Sequence, residues 1–315
     1  MSDAKNRLIK EEAPQSEAKS MGRIIFEQFC EHRLALLSVF VIVFFVGVAV
    51  FADGIAYVTG LDPDAQDILN RYGEWTATNW LGTDEAGRDV FIRLVYGTRV
   101  SLLVAFLVAL TSMVIGLVAG SLAGYFGGLI DTVLMRVVDS LLALPLLPVL
   151  IILARVDLSS LPVLGWLISG ENSSIFKMVF ILMIFSWMIQ ARLVRGEILS
   201  IKEREFVLAA QTSGMGHFGV IVREVIPNVL TPVTVAVTLN VGNSILFEAA
   251  LSFLGLGIQP PTPSWGNMLT NAQEMIYSAP MLAVIPGILI LLIVVSFNFL
   301  GDGLQAALDP KAIRR

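Results

Sequence analysis

The chain has 315 residues, of which 56% are hydrophobic and 15% charged, with a formal net charge of −5. Soluble domains carry about 25% charged residues, so an ordinary soluble core is excluded, and the acidic balance argues against nucleic-acid binding, which favours a basic patch. The single cysteine, Cys30, excludes an internal disulfide and cannot alone build a zinc site.

The charges that remain are clustered. None occurs between Arg33 and Asp53, Arg99 and Asp131, Glu224 and Glu248, or Glu274 and Asp302. A bilayer core takes about 20 apolar residues per helix, so each gap holds a span, and the mean hydropathy of +0.78 fits this. The predicted fold is all-α and polytopic, with about six transmembrane helices.

Residues 1–33 form a polar tail, and Ile25, Phe26 and Phe29 within it suit a short helix lying on a membrane surface. The first span is 34–52. Val50-Phe51-Ala52 loosely resembles a signal-peptide cleavage site, but the 33 residues before the apolar run and the spans after it indicate a retained helix. Residues 53–99 form a segment ending in an amphipathic elbow over 80–99. Thr83 or Asp84 would cap it, Phe91, Leu94, Val95 and Thr98 share a face, and Asp89 precedes Arg93 by one turn. The elbow is expected to fix the angle of span two rather than to contact a second protein.

The core, 100–301, holds five further spans near 100–124, 133–153, 175–194, 229–251 and 280–300. Pro145 and Pro148 are expected to kink the third and Pro286 the sixth. Arg136 and Asp139 should neutralise each other, and Lys177 should snorkel. Glu248 lies within the fifth span. It faces either a bundle interior or wet cavity, or plain solvent at the span's outer end, and with Asn243 it is a candidate for the substrate path. Basic residues crowd the tail, the 192–228 segment and the 302–315 tail, while 252–279 has none. The positive-inside rule then puts both termini and the 195–228 loop in the cytoplasm. The 53–99 segment falls outside, although four arginines sit there among its acids.

The 195–228 loop is the most informative stretch. Phe206, Ala209, Ala210 and Ser213 share one helical face with a single aromatic knob among small residues. Gly214 suits the position after the helix, and Pro227 suits the first turn of the next span. From spacing alone, a coupling element and a plain surface helix fit equally.

The loop resembles the EAA loop of binding-protein-dependent transporter permeases, whose pattern is Glu-Ala-Ala, three residues, Gly, nine residues, Ile, one residue, Leu-Pro. Ala209, Ala210, Gly214 and Pro227 match, Ile226 replaces Leu, and Leu208 and Glu224 depart from the pattern. Leu81–Val90, Arg93–Leu102, Ala249–Gly257, Pro260–Gly266 and Asn298–Pro310 are similar to the C-type permease subunit of oligopeptide and dipeptide importers. This resemblance covers roughly 22–310. It implies a type I ABC importer permease in the bacterial inner membrane, paired with a second permease, two cytoplasmic ATPase subunits and an extracytoplasmic binding protein. The implied coupling residues are Glu205, Phe206, Ala209, Ala210, Gly214 and Pro227 on a helix over 203–214. The implied cargo is a peptide, with nickel chelates as the alternative.

Two strings are decoys. Gly214–Gly219 fits G-x-G-x-x-G but follows no strand, and Glu248-Ala-Ala falls inside a span. No P-loop pattern occurs, so this chain is expected to bind no cofactor, with ATP and magnesium held by partner ATPase subunits. No nucleophile–base or metal constellation supports an enzyme. Neither inverted repeats nor midplane charges support an ion-gradient-driven transporter.

Overall fold

The computed structural model describes residues 21–157, 170, 173–270 and 275–308. The expectations for the extreme tails, 1–20 and 309–315, lie outside the described residues. Among those described, the architecture is helical, with one isolated bridge between Thr83 and Asp89 as its only extended pairing. Among the described residues, five helices are long and apolar enough to cross a membrane, and a bent pair makes a sixth crossing if it counts as one span.

Helix α1, Met21–Glu31, leans Phe29 toward the last span and leaves Phe26 exposed. It breaks at His32 and is followed by α2, Arg33–Val50, the first span, and α3, Ala52–Thr59. Residues 60–89 are irregular and stapled together by side chains. Thr83 Oγ1 donates to the Asn70 carbonyl and accepts from Gly73 N at 2.8 Å. Asp84 accepts from the amides of Ala86 and Arg88 at 2.9 and 3.0 Å.

The expected elbow helix over 80–99 is absent as a separate element. A single helix, α4, runs Val90–Phe126, and its cap is Asp89, which accepts from Ile92 N at 3.0 Å. Thr83 and Asp84 do not cap it, because the loop consumes their acceptors. At 37 residues α4 is about 55 Å long, well beyond a hydrocarbon core of about 30 Å. Arg93, in its first turn, is buried by protein.

Helices α5, Gly128–Leu142, and α6, Leu146–Arg155, meet at 88°. At about 22 and 15 Å, neither spans a bilayer alone. The kink expected from Pro145 and Pro148 is a full break just before Pro145. That residue fixes its predecessor outside the helical region, while Pro148 sits in the first turn of α6, where its missing N–H costs nothing.

Helix α7, Ser173–Ile201, packs along α4, where Gly116, Gly120 and Gly124 present three successive turns to Gln190, Ala191, Val194 and Ile198. A methyl group on Gly120 would lie 2.5 Å from the Ala191 carbonyl oxygen, so the two backbones meet only because α4 carries glycine there. Lys177 does not reach for headgroups. Its ammonium donates to Ala154 O at 2.7 Å and closes the C-terminus of α6.

Helix α8 is short, Glu205–Thr212. Helix α9 runs His217–Phe253, passing a π-helical turn at Ile221–Val225 just before Pro227. Pro227 lies in the first turn of the α-helical stretch Ile226–Phe253, as its position in the sequence suggested, and the π-helical turn runs directly into it. The wide turn precedes the residue whose backbone nitrogen carries no proton. Helix α10, Met281–Leu308, contains Pro286. One apolar cluster joins α4, α7 and α6, a second joins α2, α4, α9 and α10, and a third, around Val194, Ile198, Val207 and Val229, lies near α8.

Candidate functional site

The residues singled out in the sequence fall at opposite ends of α9. His217 and Glu248 are 31 positions apart, about 46 Å along an α-helix.

At the α8 end, Glu205 lies in the first turn, where a carboxylate complements the helix dipole. Gly214, at φ +84°, takes the left-handed turn that ends the segment. Val207 is fully buried, and Ala210 packs beside it in the cluster of Val194, Ile198 and Ile201. The outward face carries Glu205, Phe206, Leu208 and Ala209, with Phe206 37% exposed. Ala210 was expected to share the outward face with Ala209. It instead seats the helix on its own chain, because 100° of rotation per residue separates the two. Pro227 is exposed on α9. Phe206 also borders an open cavity of about 900 Å³ with Ile25, Glu197, Arg204, Asn228 and Leu308.

Polar bonds tie this end together. Tyr125 OH lies 3.0 Å from His217 Nδ1 and accepts from Gln211 Nε2 at 3.3 Å, which links α4, α9 and α8. Lys202 donates to Gly124 O at 3.2 Å. Arg195 holds Asp131 through two bonds of 2.5 and 2.7 Å, and Arg192 meets Asp139 at 2.5 Å. Asp139 is thus paired across to α7 and not with Arg136, as the spacing had suggested.

At the far end, Glu248 is fully buried. Its Oε2 accepts from Ser101 Oγ at 3.1 Å and its Oε1 from Ser252 Oγ at 2.8 Å. Solvation at the surface, one of the two sequence alternatives, is overturned. The residue is enclosed by α4 and by the loop 254–270, which folds back over it. Asn243 is exposed and lies five positions away, about 140° around the helix, so the two do not converge. Beside Glu248 lies a cavity of about 230 Å³ lined by Asp84, Arg88, Arg93, Ser252, Gln259 and Asn267.

Arg93 does not pair with Asp89. Asp89 is occupied as a cap and by Asn79 Nδ2 at 2.9 Å. Arg93 turns to Asp84 at 3.2 Å and donates to the carbonyls of Pro63 and Pro261 at 3.2 and 3.4 Å. Arg88 completes the cluster, 2.8 Å from Asp84 and 2.7 Å from Glu85. Sequence reasoning did not single out Ser101, Ser252 or Ser264 as hydrogen-bond partners of Glu248. Their only sequence signal was membership of the motif strings, because small hydroxyls are unremarkable until a loop brings them to a carboxylate. No group of His, Cys, Asp or Glu side chains among the described residues could hold a metal ion.

Residues 116–314 match the family model described as binding-protein-dependent transport system inner membrane component, and residues 20–72 match the N-terminal transmembrane domain of oligopeptide transport permease C. The chain is 38% identical to the dipeptide transport system permease protein DppC of Alkalihalophilus pseudofirmus, over 94% of this chain and 92% of that protein. It is 37% identical to the glutathione transport system permease protein GsiD of Escherichia coli, over 91% and 89%. It is 36% identical to the oligopeptide transport system permease protein OppC of Escherichia coli, over 94% and 93%.

Proposed function

The chain belongs to the binding-protein-dependent transport inner membrane component family, and on that premise we propose that it imports peptides as one permease of an ATP-driven complex. The coarse part of this, a multi-span membrane permease, follows from the family and from the apolar helices. The finer part is our own. The peptide cargo is supported by the relatives, whose names specify dipeptides, glutathione and oligopeptides. In this reading a second permease shares the path, two cytoplasmic ATPase subunits bind ATP and magnesium, and a binding protein delivers cargo from outside. The α8 end faces the cytoplasm, as do both termini.

The observation that carries the coupling role is the two-sided use of α8. Val207 and Ala210 fasten it to the bundle, Leu208 and Ala209 point away from it, and Phe206 stands partly exposed at the edge of the cavity beside it. A helix seated on one side and apolar on the other suits a groove on a second protein. The bonds through Tyr125, His217 and Gln211 give a push on α8 a direct route to α4 and α9. Nucleotide-driven closure of the ATPase pair would bias the bundle between two states by rigid-body motion.

Ala209→Glu is the test, because Ala209 is exposed and a larger side chain there leaves the chain's own packing intact. Ala210→Glu would confound docking with damage to the seat. Leaving a charge buried and unpaired costs about 3 kcal/mol, or roughly a hundredfold in association. The variant should insert normally, lose its ATPase subunits on purification in detergent, and lose ATP-driven peptide uptake in vesicles. Full retention of the ATPase with normal uptake would remove α8 as the coupling element.

A further inference from the structure

The carboxylate of Glu248 reaches two backbone amides of the 254–270 loop through two serine hydroxyls. Ser101 Oγ donates to Oε2 and accepts from Trp265 N at 3.2 Å. Ser252 Oγ donates to Oε1 and accepts from Ile258 N at 3.1 Å. A hydroxyl has one proton, so donating it to the carboxylate orients its lone pairs toward the amide. A carboxyl group that accepts on both oxygens, as this one does, aligns both serines at once. A glutamine has one acceptor and one donor end, so one serine would have to turn its proton away from residue 248 and accept from it instead, which leaves that proton without its partner and weakens the bond the same oxygen accepts from the amide behind it.

The two amides lie on different limbs of the loop. Ile258 is on the outgoing limb. Trp265 is on the returning one, where its fully buried ring also donates Nε1–H to Leu94 O at 3.3 Å. Asn267 ties the limbs to each other, donating to Thr262 O at 2.7 Å and Ile258 O at 3.3 Å. Between the pinned points, Gln259, Pro260 and Pro261 are exposed. Nothing of the Glu248 side chain is open to a passing solute.

We infer that Glu248 is a positioning residue, which acts through Ser101 and Ser252 to hold the 254–270 loop in the arrangement that transport requires, and is not a cargo ligand. This rests on the importer reading, in which the loop stands at the outer mouth. A loosened loop lets ATP be spent without cargo being captured.

The experiment uses the complete complex in lipid nanodiscs and reads amide hydrogen exchange together with ATP hydrolysed per peptide transported. Ser101→Ala should speed exchange at Trp265 by about tenfold and spare Ile258, Ser252→Ala should do the reverse, and Glu248→Gln should speed the one behind the serine that faces its NH2 end. Each variant should raise the ATP used per peptide, a ratio that a loss of folded complex alone leaves unchanged. The loss of uptake should be the same fraction for acidic and basic dipeptides. Unchanged exchange at both amides in Glu248→Gln, an unchanged ATP-to-peptide ratio, or a loss confined to cargo of one charge would overturn the inference. The serine variants keep the test readable if Glu248→Gln does not fold. ATPase retention, the readout for Ala209→Glu, should be normal in all three, so failure of the coupling reading is separable from failure of this one.

Discussion

Asp53 stands just past the first span, and its behaviour is set by the groups that reach it from α4. Arg99 binds it through two bonds of 2.8 and 3.1 Å, and Tyr96 OH donates to it at 2.8 Å. The hydrogen bond from Arg99, followed by that from Tyr96, holds its pKa below the usual 3.8. A carboxylate with a depressed folded pKa contributes stability that is fully present above the unfolded value and is lost as pH falls through the folded one. The bridge from α3 to α4 should therefore persist at neutral pH and loosen only below about pH 3.8. Amide exchange in α3 should accelerate in that acid range, and Asp53→Asn should abolish the pH dependence. Because Asp53 is largely exposed, the effect should be local and should not unfold the bundle. Arg93, Asp139 and Lys177 make a related point. Each had a plausible partner or fate within its own helix, and each found a partner on another segment.

For the elements, the contact of α4 with α7 is decided by backbone approach. Without a hydrophobic force between helices in lipid, association depends on close packing, which small residues permit. Gly116, Gly120 and Gly124 supply that closeness over three turns. Gly120→Leu should force the pair apart at a cost of about 3 kcal/mol. The expected outcome is a lower unfolding temperature in detergent and less permease in the membrane, with Gly196→Leu as a helical control, since nothing crowds that position. Equal stability of Gly120→Leu and wild type would show that the helices can separate without loss. The same reasoning explains α8. Its apolar residues were legible, but which of them faced inward depended on where the α7 end and the start of α9 met it.

On the scale of the molecule, orientation is the open property that experiment reaches most directly. A thiol at Ser264 would be silent on either side of the membrane, because that residue is fully buried. Gln259 and Ser213 are exposed at the two ends. In a Cys30→Ser background, an impermeant thiol reagent applied outside should label Gln259→Cys and leave Ser213→Cys unmodified. The reverse pattern would invert the topology and with it the assignment of α8 to the cytoplasm.

The number of apolar helices, the break near Pro145, the short helix before Gly214 and the family were all legible in the linear chain. Charge gaps, proline positions and motif strings act locally or through composition, so no folding is needed to see them. The merging of the elbow into α4, the inward turn of Ala210 and the enclosure of Glu248 were decided only by tertiary structure. A helix start depends on which loop acceptors are already taken, as Asp84 and Thr83 were by residues 70–88. The fate of a charge depends on segments far away in sequence. Glu248 lies 147 positions from Ser101, and only the folding of α4 against α9, with the 254–270 loop laid over both, turns an isolated carboxylate in a span into a satisfied and buried one.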